Sequence, residues 1–111
     1  MTIEEIICNY LSSKLDCDVL PEKPQRPFRR MVFIERSGGT GQYIKSTTIA
    51  LQCYEESLYK AAKLNDEVIE KMYGLIENDQ ICKVILNQNY NYTDTTTKEY
   101  RYQAVFEVVH Y

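Results

Sequence analysis

Apolar and polar positions alternate along this chain in two distinct rhythms. Ile3, Ile6, Ile7, Tyr10 and Leu11 recur at helical spacing and predict a first helix to about Lys14. Thr2 and Glu5 frame its start as a capping box, each side chain placed to bond the other's backbone N–H. Residues 15 to 20 are short enough for a strand. Pro21, Pro24 and Pro27 follow, and each lacks a backbone donor, so residues 21 to 27 read as an extended surface loop. Residues 28 to 37 then read as a strand.

Glycines 38, 39 and 41 suit a hairpin turn, with a partner strand from about Gln42. On that strand Ile49, Leu51 and Cys53 share one face, and Thr48, Ala50, Gln52 and Tyr54 the other. A second helix is expected from about residues 55 to 57, with acidic residues in its first turn. Its apolar stripe is Leu58, Ala61, Ala62, Val68, Met72, Leu75 and Ile76, with Asn65 expected at the stripe's edge. Glu56 with Lys60, and Glu67 with Lys71, stand four apart in the favourable orientation. Gly74 and Asn78 loosen and end the helix. Residues 81 to 87 predict a strand, residues 89 to 97 a polar connection and residues 98 to 111 a long final strand. The architecture is α+β in a single domain, 1–111: a mostly antiparallel sheet with two helices packed on one face. The final strand carries few charges and is expected to be an edge that another chain could extend.

Composition narrows the classes. The chain has 111 residues, 44% apolar and 26% charged, which suits an ordinary soluble domain. Its net charge of −3 argues against sequence-independent nucleic-acid binding, which needs a clustered basic face. The densest basic stretch, Lys23, Arg26, Arg29 and Arg30, is broken by prolines and reads as a solvated loop. The start Met1-Thr2-Ile3-Glu4-Glu5 lacks the positive region of a secretion signal. The longest apolar run is too short to cross a bilayer, so no membrane partner is expected.

Little in the chain suggests catalysis. Cys8, Cys17, Cys53 and Cys82 show no metal or redox spacing and read as reduced thiols of a protein made in a cytoplasm. His110, the one histidine, is penultimate, where a fixed imidazole orientation is hard to maintain. Asp16-Cys17-Asp18 and Glu55-Glu56 are the nearest metal candidates, and both fit turn and helix-start roles better. Gly38-Gly39-Thr40-Gly41 is not a phosphate loop, because a strand rather than a helix follows it. No cofactor is expected, nor an enzyme. An enzyme using Cys53 or Cys82 as nucleophile would need an exposed thiol of low pKa.

Ten tyrosines are unusual in such a chain. Tyrosine suits protein interfaces, and it also favours sheets. The basic-aromatic signature of RNA-recognition sheets is absent.

Three motifs in order carry a family resemblance. They are Val32-Phe33-Ile34-Glu35-Arg36 leading to Gly38-Gly39, a strand-to-helix joint at Cys53-Tyr54-Glu55-Glu56-Ser57, and a closing Arg101-Tyr102-Gln103-Ala104 strand. In this order the chain resembles the tail terminator and tail-completion (minor capsid) proteins of long-tailed bacteriophages and prophages, over roughly residues 3 to 111. It departs from them at Gln42, Tyr43 and Lys45, where the family often has an acidic residue.

The resemblance implies a tail-terminator-like fold and a homo-hexameric ring capping the tail tube. The partners would be other copies of the chain, the tail tube protein and the head–tail connector or neck proteins. DNA would pass only as cargo, and the location would be the virion tail. Interface residues are expected in two loops: Gly38, Gly39, Thr40, Gly41 and Tyr43, and Tyr90, Tyr92, Tyr100, Arg101 and Tyr102. The alternatives are a head-completion or neck adaptor, and a small regulatory or binding domain acting as a dimer.

Overall fold

A computed structural model describes residues 1–22 and 30–111. Most of the expected proline-rich loop, and the expected strand residues Phe28 and Arg29, lie outside the described residues. Helix α1 spans Ile3–Lys14, and strand β1 spans Asp18–Leu20. Strands β2 (Met31–Thr40) and β3 (Lys45–Glu55) form a hairpin that leads into α2 (Leu58–Tyr73). A 3₁₀ turn, Gly74–Glu77, precedes β4 (Ile81–Asn91) and β5 (Tyr100–His110).

The capping box forms as expected. Glu5 N donates to Thr2 Oγ1 at 3.2 Å, and Thr2 N donates to Glu5 Oε1 at 3.2 Å. Donation from Thr2 N, and then from the Thr2 hydroxyl, holds the Glu5 carboxyl below its usual range. Such a cap stabilises a helix by about 1 kcal/mol. Helix α2 begins one step later than expected. Ser57 is its N-cap and accepts from Lys60 N, so Glu55 and Glu56 precede the first turn instead of occupying it. Glu55 instead meets Arg30 at 3.0 Å, and Glu56 pairs with Lys60 at 3.5 Å as expected. Glu67 lies 3.6 Å from Arg30. At the other end of α2 the chain passes through Gly74, where a side chain would displace the Tyr10 hydroxyl. A Cβ there would sit 2.4 Å from the Tyr10 hydroxyl, which donates to Lys71 O at 2.7 Å and ties α1 to α2.

The five strands lie in the order β1-β2-β3-β5-β4. All pairs are antiparallel except β1 with β2, which is parallel, so the sheet is mixed. This order corrects the expectation for the last strand. β5 pairs along its length with β3 on one side and β4 on the other, and is no edge. Among the described residues the edges are β1 and β4. α2 crosses over β5 to carry the chain from β3 to β4, and both strands then flank β5.

Both helices pack on one face. Ile7 and Leu11 of α1 and Leu64, Val68 and Met72 of α2 meet Val32, Ile34, Ile49, Leu51, Cys53, Ala104, Phe106 and Val108 of the sheet. Asn65 lies within this layer at 1% exposure, not at its edge, while Leu58 and Ile76 are exposed. Leu64, rather than those two, completes the α2 stripe. The opposite face carries a smaller cluster of Met31, Phe33 and Tyr54 with Leu20. No helix is long and apolar enough to cross a membrane among the described residues.

Candidate assembly surfaces

The ladder between β3 and β5 sets the geometry of both candidate loops. Lys45 pairs His110 at one end and Glu55 pairs Tyr100 at the other. Ten residue steps separate these ends, about 33 Å in a strand. The ten expected interface residues therefore form two clusters at opposite ends of the sheet. The turn after β2 belongs to one end and the turn after β4 to the other.

At the first end the outer half of β2 and the turn that follows it, residues 35–44, form an exposed arm along β3, while β3 itself stays paired with β5 as far as Lys45. Residues 35–40 of β2 are all exposed, although all but Ser37 remain in the ladder. Gly38 and Gly39 are strand residues opposite Thr48 and Thr47, which corrects their expected place in the turn. The register shifts between Arg36 and Gly38, so Ser37 is a bulge. The turn proper is residues 41–44. Gly41 supplies its left-handed backbone at φ 106°, and a Cβ there would meet Ile44 O at 2.1 Å. Tyr43 stands at the tip with 88% of its surface exposed, beside Ile44 at 56%. Ile44 was missed at the sequence level. Its signal is an apolar side chain in a turn, outside the alternation of either strand.

A cleft of about 520 Å³ opens beside this arm, on the helix-covered side. Ile3 and Ile6 from α1, Thr47, Asn78, Gln80 and His110 line it. Arg36, ion-paired with Glu4, and Lys45 stand at its arm side. His110 is held firmly here despite its place near the chain end. β5 pairs on both sides at this point, His110 is 6% exposed, and its Nε2 lies 2.8 Å from Thr47 Oγ1. On the opposite face Glu107 accepts from the hydroxyls of Ser46 and Thr48, which hold its carboxyl below the usual range.

The second end is tied together from within. The Arg101 guanidinium lies between the rings of Tyr54 and Tyr92, 5.7 and 4.6 Å from their centroids. Its Nε donates to Tyr92 O at 2.6 Å, its Nη1 donates to Tyr54 OH at 3.0 Å, and Glu99 lies 3.7 Å away. Arg101 thus braces the β4–β5 turn more than it presents itself outward. Tyr90 and Tyr92 meet edge to face at 6.0 Å and stay partly exposed. Tyr100 and Tyr102 are half-buried.

Among the described residues no group of three or more His, Cys, Asp or Glu side chains is placed to hold a metal. Cys53 is buried, and burial pushes its thiol well above the usual range, the reverse of an activated nucleophile. Burial likewise raises Cys17 to about 11. No known family model matches the chain, and neither does any curated protein sequence.

Proposed function

We propose that this protein is a structural tail protein of a long-tailed bacteriophage or prophage, a terminator or completion protein. Its copies assemble as a homo-hexameric ring that caps the tail tube and meets the head connector. The observation that carries this reading is the exposed β2–β3 arm with Tyr43 and Ile44 at its tip. Tyr43 and Ile44 are adjacent at the tip, the tyrosine being the most exposed of the chain's tyrosines, and such a pair favours contact with a partner. The order of motifs in the sequence supports the same family. At the other end the partly exposed Tyr90 and Tyr92 offer a second surface for the tube or the neck.

On this reading the activity is assembly, with the tail tube protein and the connector as partners and DNA passing through the lumen. The test is mass by light scattering after gel filtration over a range of concentrations, with negative-stain imaging. The expected species has six times the mass of the 13.1 kDa chain and a central hole. A dimer at every concentration would favour a small binding domain instead. A ring that attaches to heads but not to tubes would favour the neck adaptor.

A further inference from the structure

We infer that the cleft beside the arm binds a small organic anion, whose phosphate or carboxylate head meets Arg36 and Lys45. The site is separate from the assembly proposed above and does not depend on it.

The lining carries the chemistry. Arg36, Lys45, Thr47, Asn78, Gln80 and His110 all bring hydrogen-bond donors to the cleft. Among the described residues no Asp or Glu side chain lines it. The chain as a whole holds 16 acidic residues against 13 lysines and arginines. Two cations without a lining carboxylate therefore reverse the overall field locally.

The donors are held from behind. Arg36 Nη2 donates to Glu4 of α1, which leaves Nε and Nη1 without a protein partner among the described residues. Glu4 offsets the charge of Arg36. Lys45 makes no ion pair among the described residues, so it supplies the net positive charge. A planar guanidinium fork beside an ammonium point charge suits an oxyanion. Thr47 and His110 are both buried and stand 2.8 Å apart, which makes one wall polar and fixed. Asn78 Oδ1 accepts from Gln80 N at 2.8 Å, so its amide NH₂ is the end left for a ligand.

The occupant is small. A volume of about 520 Å³ lies in the range of small-molecule sites. Met1 and Tyr111 also line the cleft, which favours a small molecule over a helix or a strand. Arg36, Lys45 and Thr47 line an adjoining hollow of about 320 Å³ along residues 38–41 as well, and no carboxylate lines that one among the described residues. The two cations thus stand where the hollows meet. The glycines at 38, 39 and 41 leave room beside them for the body of the ligand.

The test follows the ring resonance of His110, the chain's single histidine, by NMR at neutral pH and constant ionic strength. Inorganic phosphate or acetate replaces chloride stepwise. The expected result is a saturable shift with at least one of the two anions, matched by the backbone amides of Thr47 and Gln80. Lys45→Gln should weaken that binding about tenfold or more. Its melting curve should match wild type, because Lys45 is exposed. Lys83→Gln, which removes a lysine outside the cleft, should leave binding as it is. Saturation by phosphate alone assigns a phosphate head, and saturation by acetate alone a carboxylate head. Shifts that grow linearly with both anions, or a saturable shift that Lys45→Gln leaves unchanged, overturn the site.

Discussion

Gln52 and Gln103 stand directly opposite each other on β3 and β5, and Gln52 Nε2 donates to Gln103 Oε1 at 2.8 Å. The pair is the middle of a polar row across the sheet. Arg101 donates to the Tyr54 hydroxyl, Tyr54 donates to Gln52 Oε1 at 3.2 Å, and Gln103 Nε2 donates to the Tyr90 hydroxyl. Gln52 is 7% exposed, so its removal strands partners that water reaches poorly. Gln52→Ala should lower unfolding free energy by about 1–3 kcal/mol in urea titrations. Replacing both glutamines with leucine should cost less than the sum of the two single leucine variants. A strictly additive double variant would mean the two amides do not act as a pair.

Asn65 occupies a position where helical spacing calls for an apolar residue. The Cys53 thiol faces its Oδ1 at 3.9 Å, and its Nδ2 donates to Asn89 Oδ1 at 3.4 Å, so the amide links α2 to β3 and β4. Asn65→Asp keeps the shape and adds a carboxyl at a site with 1% exposure. Burial would raise the folded-state pKa of that new carboxyl above its unfolded value. The variant should therefore be nearest to wild-type stability at about pH 4 and lose ground as pH rises toward 7. A difference from wild type that stays flat between those values would rule out a buried carboxyl.

How much of this was legible in the sequence depends on the range of the interaction. α1 needs only neighbours three and four apart, and both its cap and its buried face follow from Thr2, Glu5 and the isoleucines. Alternation on β3 likewise told which residues share a face. It could not tell which strand lies alongside. Ala104, Phe106 and Val108 alternate with less buried residues whether β5 is an edge or a centre, and only pairing on both sides settles it. Asn65 seemed an edge residue because its partners come from β3 and β4. Gly38 and Gly39 seemed turn residues because glycine favours turns, but an exposed arm held by its ladder tolerates them in a strand. The ten candidate interface residues were gathered by residue type and loop position, and the topology divides them between opposite ends.

Glu107 gives the acid limb of stability a specific contributor. Its carboxylate accepts hydrogen bonds from Ser46 and Thr48, and its pKa falls below the ordinary 4.5. A lowered folded-state pKa contributes stability that is present above the unfolded value and lost as pH falls through the folded one. Glu107→Gln should thus be less stable than wild type at neutral pH, with the gap narrowing below about pH 4.5. The group is partly exposed, so solvent screening keeps the effect small. Denaturation midpoints at pH 7 and pH 3 measure it, and a gap that widens on acidification would reverse the assignment.

Thiol labelling reads the core directly. Cys53 is fully buried under α2 with its thiol pushed up by that burial, whereas Cys8, Cys17 and Cys82 are half-buried. In native protein at neutral pH, a maleimide should leave Cys53 unmodified until the chain unfolds, so its rate should follow the global unfolding equilibrium. Peptide mapping by mass spectrometry over a denaturant series makes the comparison. Prompt native labelling of Cys53 would contradict its place beneath α2.

Gly41 separates the fold from the assembly. A methyl group there would collide with Ile44 O, and φ of 106° is strained for any other L-residue. Gly41→Ala should cost about 1–3 kcal/mol locally, but the arm lies outside both apolar clusters. The cost should therefore fall on the turn, not on the core. Amide exchange should accelerate across residues 39–46 and stay near wild type in Ile49, Leu51 and Phe106. If the exposed tip at Tyr43 and Ile44 makes the assembly contact proposed above, the same substitution should weaken assembly while the monomer melts almost normally. A variant that loses core protection along with the turn would show that the arm and the core unfold as one unit.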